Sequence, residues 1–164
     1  MPDSSVTLPQ PLAAASAAGA AAAGVRRVAL VTGAGKRLGR HIALTLAQQG
    51  WDVAVHYRTS RAEAEATANE IRALGRQAVV LSADLSDEVA ARALPAQAVA
   101  ELGQLDAVVN SASTFEYDTA ATFSYAMLER HLRANTAPAI VLAQCLAEHV
   151  TQRGVQGAVV NLLD

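Results

Sequence analysis

Between Leu30 and Arg40 the chain reads LVTGAGKRLGR, which sets three glycines and three cations within eleven residues directly after an apolar run. Glycines in such a turn let the backbone approach a phosphate closely. A helix starting behind the turn adds free N–H groups and the positive end of its dipole. Gly33, Gly35 and Gly39 miss the strict fingerprint G-x-G-x-x-G, because Leu38 stands three residues after Gly35 and the next glycine comes one later. Two readings follow: the holding of a phosphate-bearing ligand, or a glycine-rich turn with a charged rim.

Other reactive side chains point to less. Cys145 is the single cysteine, which excludes an internal disulfide and a multi-cysteine metal site, and its Leu and Ala neighbours suggest a buried core thiol. His41, His56, His131 and His149 have no metal-ligand spacing, so no metal is expected. The formal net charge of -2 gives no reason to expect nucleic acid or an anionic membrane as a partner. A small molecule fits better, and the lone thiol suits a reducing cytoplasm.

The elements that must position the opening stretch can be read from pattern. Residues 1–24 are Pro-, Ser- and above all Ala-rich, with nine alanines between Leu12 and Gly24, too little apolar surface to offset the entropy of ordering. A disordered leader is expected there, and one domain over 25–164. Val-rich runs at Val28–Thr32, Val53–Tyr57, Ala78–Ser82, Ala107–Asn110 and Ala158–Leu162 predict five strands buried on both faces.

Helical spacing lies between these runs. Leu38, Ile42 and Leu46 form a row ahead of Gly50, and Ser60 with Glu63 reads as a capping box ahead of Ala64, Ala68 and Ile71. Ser86 with Asp87 and Glu88 opens a third helix that Pro95 is expected to split, and Thr122 to Val150 reads as a fourth, kinked near Pro138. This alternation implies an α/β fold with a doubly wound parallel sheet and helices on both faces.

Thr32 to Gly39 resembles the cofactor loop TGxxxGxG of the short-chain dehydrogenase/reductase family, with Arg37 in place of the middle glycine. That substitution resembles the pteridine reductase branch, whose loop often reads TGAAKRLGR. The resemblance implies a Rossmann-like fold and places Gly33, Lys36, Arg37, Leu38 and Gly39 against the cofactor. His56, Tyr57, Arg58 and Ser60 stand where an NAD-specific member carries an acid for the ribose. No acid stands there, and Arg37, Arg58 and the Ser60 hydroxyl suit a 2′-phosphate, so NADPH is expected.

Further along, Asp84 and Leu85 resemble the segment beside the adenine. Asn110, Ser111, Ala112 and Ser113 stand where the family has NNAG or NNAS, with Ser111 departing from the second asparagine. Phe115 matches the aromatic residue that stacks a pterin, with a loop aromatic filling an apolar gap as the alternative. Asn135 resembles the asparagine of the catalytic tetrad, which supports a water in the proton relay. Asp164 matches the branch's aspartate three residues after Asn161.

The resemblance implies hydride transfer to a pterin or dihydrofolate-like substrate, and a tetramer formed through the helix after Thr122. It also requires a Tyr-x-x-x-Lys pair, which this chain lacks: its only lysine is Lys36. A fifth strand left as an apolar edge would invite association, so the expectation is the N-terminal portion of a longer reductase. A general keto or oxoacyl reductase, or an inactive nucleotide-binding or interaction module, are the alternatives.

Overall fold

The computed structural model describes residues 26–162; the expected leader over 1–24 and Asp164 lie outside the described residues. Five strands, β1 (Arg27–Val31), β2 (Trp51–Tyr57), β3 (Ala78–Ser82), β4 (Ala107–Asn110) and β5 (Ala158–Asn161), form one parallel sheet in the order β3-β2-β1-β4-β5. Three helices join the first four: α1 (Arg37–Gln48), α2 (Arg61–Ala73) and α3 (Glu88–Leu102). A helix α4 (Tyr125–His131), a π-helical turn (Leu132–Thr136) and a helix α5 (Ala137–Arg153) carry the chain from β4 to β5.

Alternation along the strands divides the core into two layers. Val28 and Leu30 of β1, Ala54 of β2 and Val108 of β4 face Leu94 and Ala98 of α3 and Leu142 and Leu146 of α5. Val31, Val53, Val55 and Val109 face Ala43 and Ala47 of α1 and Ala64, Ala68 and Ile71 of α2. The register pairs Leu30 with Ala54 and Val31 with Val109, so β1 is hydrogen-bonded on both sides. The chain winds outward through β2 and β3, then returns to the other side of β1 for β4. The resulting crevice between β1 and β4 is where doubly wound sheets hold ligands.

Several expectations change. Helix α1 buries Gly39, Ala43 and Ala47, whereas Leu38 is 56% exposed and Ile42 and Leu46 lie on the flanks. Small residues let the helix approach the sheet, and packing distance outweighed side-chain hydrophobicity. Pro95 does not split α3, which runs unbroken over 15 residues and is capped by the Asp87 side chain rather than by Ser86. Ala91, Leu94, Ala98 and Leu102 bury one continuous face, which offsets the hydrogen bond that the proline lacks.

The fourth helical stretch is irregular over Leu132–Thr136, upstream of Pro138, which sits in the first turn of α5 where its missing N–H is harmless. No side-chain hydrogen bond caps α2 at Ser60, and the Glu63 carboxylate is engaged by Lys36 at 2.7 Å. Cys145 is only half-buried, its Sγ 4.0 Å from the Arg92 carbonyl of α3.

Among the described residues β5 is exposed along its length, with Val159 at 39% and Val160 at 47%. None of the described helices is long and apolar enough to cross a membrane.

Candidate functional site

At the carboxyl ends of the strands lies a cleft of about 720 Å³, lined by residues that follow each of the five strands. Its floor is the turn after β1. Thr32 N–H donates to the Val109 carbonyl at 2.9 Å and Ala34 N–H to the His56 carbonyl at 2.9 Å, so the turn is pinned to β4 on one side and β2 on the other. Gly33 has φ +65°, and a Cβ there would lie 2.9 Å from Ala112 Cα; a Cβ on Gly39 would strike the Gly33 carbonyl. These two glycines are therefore required by close approach of backbone to backbone. Arg37, at the start of α1, has φ +49°. A residue other than glycine takes that left-handed conformation at a steric cost between its Cβ and the neighbouring backbone.

Around this floor stand Lys36, Arg37 and Leu38 from the turn, and His56, Tyr57, Arg58 and Ser60 from the end of β2. The Lys36 ammonium is paired with Glu63, whose carboxyl it holds below the usual carboxylate range. Among the described residues no side-chain hydrogen bond or ion pair engages Arg37, Arg58 or the Ser60 hydroxyl. Two guanidinium groups and a hydroxyl therefore stand available at one end of the cleft.

His56 differs from its neighbours. It is 2% exposed, its Nδ1 accepts the Gly33 N–H at 3.2 Å, and its Nε2 lies 3.1 Å from the Ala83 carbonyl. Burial pushes the imidazole below its usual range, against the opposing pull of the Ala83 carbonyl and of Asp84.

Asp84 and Leu85 line the wall after β3. One oxygen of Asp84 accepts from the Ser86 hydroxyl at 2.7 Å and from its N–H at 3.0 Å. The hydroxyl and then the N–H hold the carboxyl low, so Asp84 is an ionised acceptor. Ser111, Ala112 and Ser113 form the opposite wall, with Phe115 at its end. The buried Thr32 hydroxyl accepts the N–H groups of Ser111 at 2.9 Å and Ala112 at 3.0 Å and so fixes that wall.

Phe115 is 69% exposed and meets Tyr117 edge-on, with ring centroids 4.9 Å apart. It belongs to the cleft lining and fills no gap in the core. Asn110 lies one step below the wall, donating to the Asn161 side chain at 2.8 Å. Asn135 stands in the π-helical turn, beside Ala134 of the cleft lining. Its side-chain oxygen accepts the Thr114 N–H at 2.8 Å and its nitrogen donates to the Thr114 carbonyl at 2.9 Å. Both of its polar atoms are thus committed to holding the loop that carries Phe115.

Ser86, Thr114 and Leu162 line the cleft although no sequence pattern placed them there, whereas Thr32 opens the loop pattern that the sequence does show. Among the described residues no group of three or more His, Cys, Asp or Glu side chains could hold a metal ion.

The donor set fits a dinucleotide: a glycine cradle that any Cβ would fill, guanidinium groups at one end, an ionised acceptor on the wall and an exposed aromatic ring at the other end. A family model described as short chain dehydrogenase matches residues 27–163. An L-rhamnose 1-dehydrogenase (NAD(P)(+)) of a Sphingomonas species is 31% identical over 82% of this chain and 53% of its own length. A 3-oxoacyl-(acyl-carrier-protein) reductase of Staphylococcus aureus is 43% identical over 51% of this chain and 34% of its own length. A short chain dehydrogenase of Burkholderia cenocepacia, solved in complex with NADP, superposes with a TM-score of 0.72 at 36% identity, covering 76% of this chain and 50% of that one. The chain spans about half the length of the curated relatives that match most of it.

Proposed function

Because the chain belongs to the short-chain dehydrogenase family, we propose that it carries the cofactor site of an NADPH-dependent reductase acting on a pterin or dihydrofolate-like substrate. One observation carries the cofactor choice: Arg37, Arg58 and the Ser60 hydroxyl line one end of the cleft, with no acid at the end of β2 to receive a ribose hydroxyl. Guanidinium groups suit a 2′-phosphate through paired, charge-assisted bonds.

When bound, the nicotinamide supplies the hydride. The chain's own residues hold and orient it. The Gly33–Gly39 turn takes the pyrophosphate at the start of α1, Lys36 and Leu38 flank it, and Asp84 and Leu85 take the adenine. Ser111, Ala112 and Ser113 line the far wall with Asn110 just below it, and Phe115 offers a face for a flat heterocycle to stack on. Asp164 is assigned to the proton relay from its position after Asn161, and Asn135 to holding the loop around Thr114. A soluble, cytoplasmic tetramer completes the reading.

A general keto or oxoacyl reductase is the second reading, favoured by the similarity to the Staphylococcus aureus reductase. Binding of dihydropterin to the NADPH-loaded protein, set against binding of keto substrates to the same preparation, separates the two.

The cofactor assignment is tested by titrating NADPH and NADH into the protein and its Arg37→Ala variant. Loss of one charge-assisted contact weakens NADPH by about tenfold or more, with NADH changed by less than about threefold. Equal losses for the two nucleotides would remove the 2′-phosphate assignment.

A further inference from the structure

His56 presents an unusual combination: a nearly fully buried imidazole at the cleft floor, with both ring nitrogens hydrogen-bonded to backbone. The partners settle its tautomer. Ala83 offers a carbonyl, which only accepts, so Nε2 carries the proton; Gly33 offers an N–H, which only donates, so Nδ1 is bare. The backbone carbonyl of His56 takes the next amide as well, accepting from Ala34 N–H at 2.9 Å. One residue at the end of β2 therefore fixes two successive amides of the turn after β1, and ties that turn to the strand end that precedes Asp84.

We propose that His56 is a positioning residue, whose neutral ring sets the Gly33 amide and with it the phosphate-facing turn, rather than a group that contacts the cofactor's polar atoms itself. The inference rests on the reading of this cleft as a nucleotide site. Adding a proton to Nδ1 would set two donors face to face, and the turn would have to move away from β2. Gly33 has little room to move in the other direction, since Ala112 lies against it.

The charged group that acts on the ring is Asp84 after β3, which favours the proton; Arg37, Arg58 and the Glu63-paired Lys36 line the same cleft. Burial opposes the proton and outweighs the pull of the Ala83 carbonyl and Asp84. The neutral ring therefore persists through neutral pH and is lost only on acidification.

The test uses NADH as probe, because the 2′-phosphate of NADPH itself titrates near pH ~6. Binding is measured between about pH 7.5 and about pH 5 for the wild-type protein, His56→Asn and His56→Leu, with circular dichroism confirming the folded state at each pH. Asparagine keeps an acceptor near the Nδ1 position but has no proton to gain. The wild-type dissociation constant rises on acidification, whereas that of His56→Asn stays flat; His56→Leu weakens NADH and NADPH by the same factor, about tenfold.

The same acid weakening in His56→Asn as in the wild type overturns the proposal. So does a folded His56→Leu that binds both nucleotides normally. Should His56→Leu fail to fold, the pH profile of His56→Asn decides alone. A wild-type protein that binds neither nucleotide at any pH defeats the nucleotide reading itself, and the role of His56 with it.

Discussion

At the scale of single residues, the cleft joins three cations, Lys36, Arg37 and Arg58, with an acid that engages one of them. Glu63 sits in the first turn of α2, where the helix dipole favours a carboxylate, and it takes the Lys36 ammonium at 2.7 Å. Both side chains are about half exposed, so solvent screens the pair. Glu63→Gln frees the lysine and removes a negative charge from the rim. NADPH affinity is expected to rise about threefold with a smaller change for NADH, as measured by fluorescence titration. A fall for both nucleotides would mean instead that Glu63 holds Lys36 in its working position.

The sequence shows which of these side chains are charged, and Arg37 is conspicuous where the family carries glycine. It does not show that Lys36 is paired while Arg37 and Arg58 are not. The choice depends on how α2 lies against the turn, where Gly35 faces the Ser60 carbonyl and the Ala64 amide.

At the scale of elements, the loops after the strands supply most of the cleft lining, and the buried Thr32 hydroxyl holds the one after β4. Thr32 accepts the amides of Ser111 and Ala112. Thr32→Val keeps the shape of the side chain but leaves those two N–H groups without that partner. It is expected to lower the free energy of unfolding by about 2 kcal/mol in urea titration. Binding of either nucleotide weakens alongside, because the wall after β4 loosens; unchanged stability would show that water replaces the hydroxyl.

The five strands were legible because Val-rich runs between helical segments leave few alternatives, and β3 and β4 have the bounds expected of them. The inward face of α1 was not. Leu38, Ile42 and Leu46 outrank Gly39, Ala43 and Ala47 in hydrophobicity, yet the small residues allow close packing on the sheet. Pro95 misleads for a related reason: a propensity cost of about 3 kcal/mol is outweighed by a helix face buried over four turns.

At the scale of the whole molecule, stability should fall in two acid steps. His56 is held below its ordinary value of 6.5 by burial. His149 is held low by burial and then by Arg153, against Asp106. The unfolded chain binds protons at these sites first, so stability is level above about pH 6.5 and declines as pH falls below it. The second step involves Asp106 and Asp84, whose ordinary value is 3.8. Burial pushes Asp106 up, but the Val28 N–H, Arg153 and Gln104 more than offset this, and the stability it adds is lost as pH falls below 3.8. Thermal melts across this range check both signs. His56→Asn should flatten part of the first step; a melting temperature that rises on mild acidification would contradict it.

The order and composition of the runs determined the parallel sheet and its helices. The residues of one loop and a few matching positions determined the family. Tertiary structure alone decided that His56 bonds to Gly33 and Ala83, 23 and 27 residues away, and that Thr32 reaches Ser111 across 79 residues. Such partnerships depend on which strands lie side by side. Strand order arises from packing of the whole sheet and has no local signature in the chain.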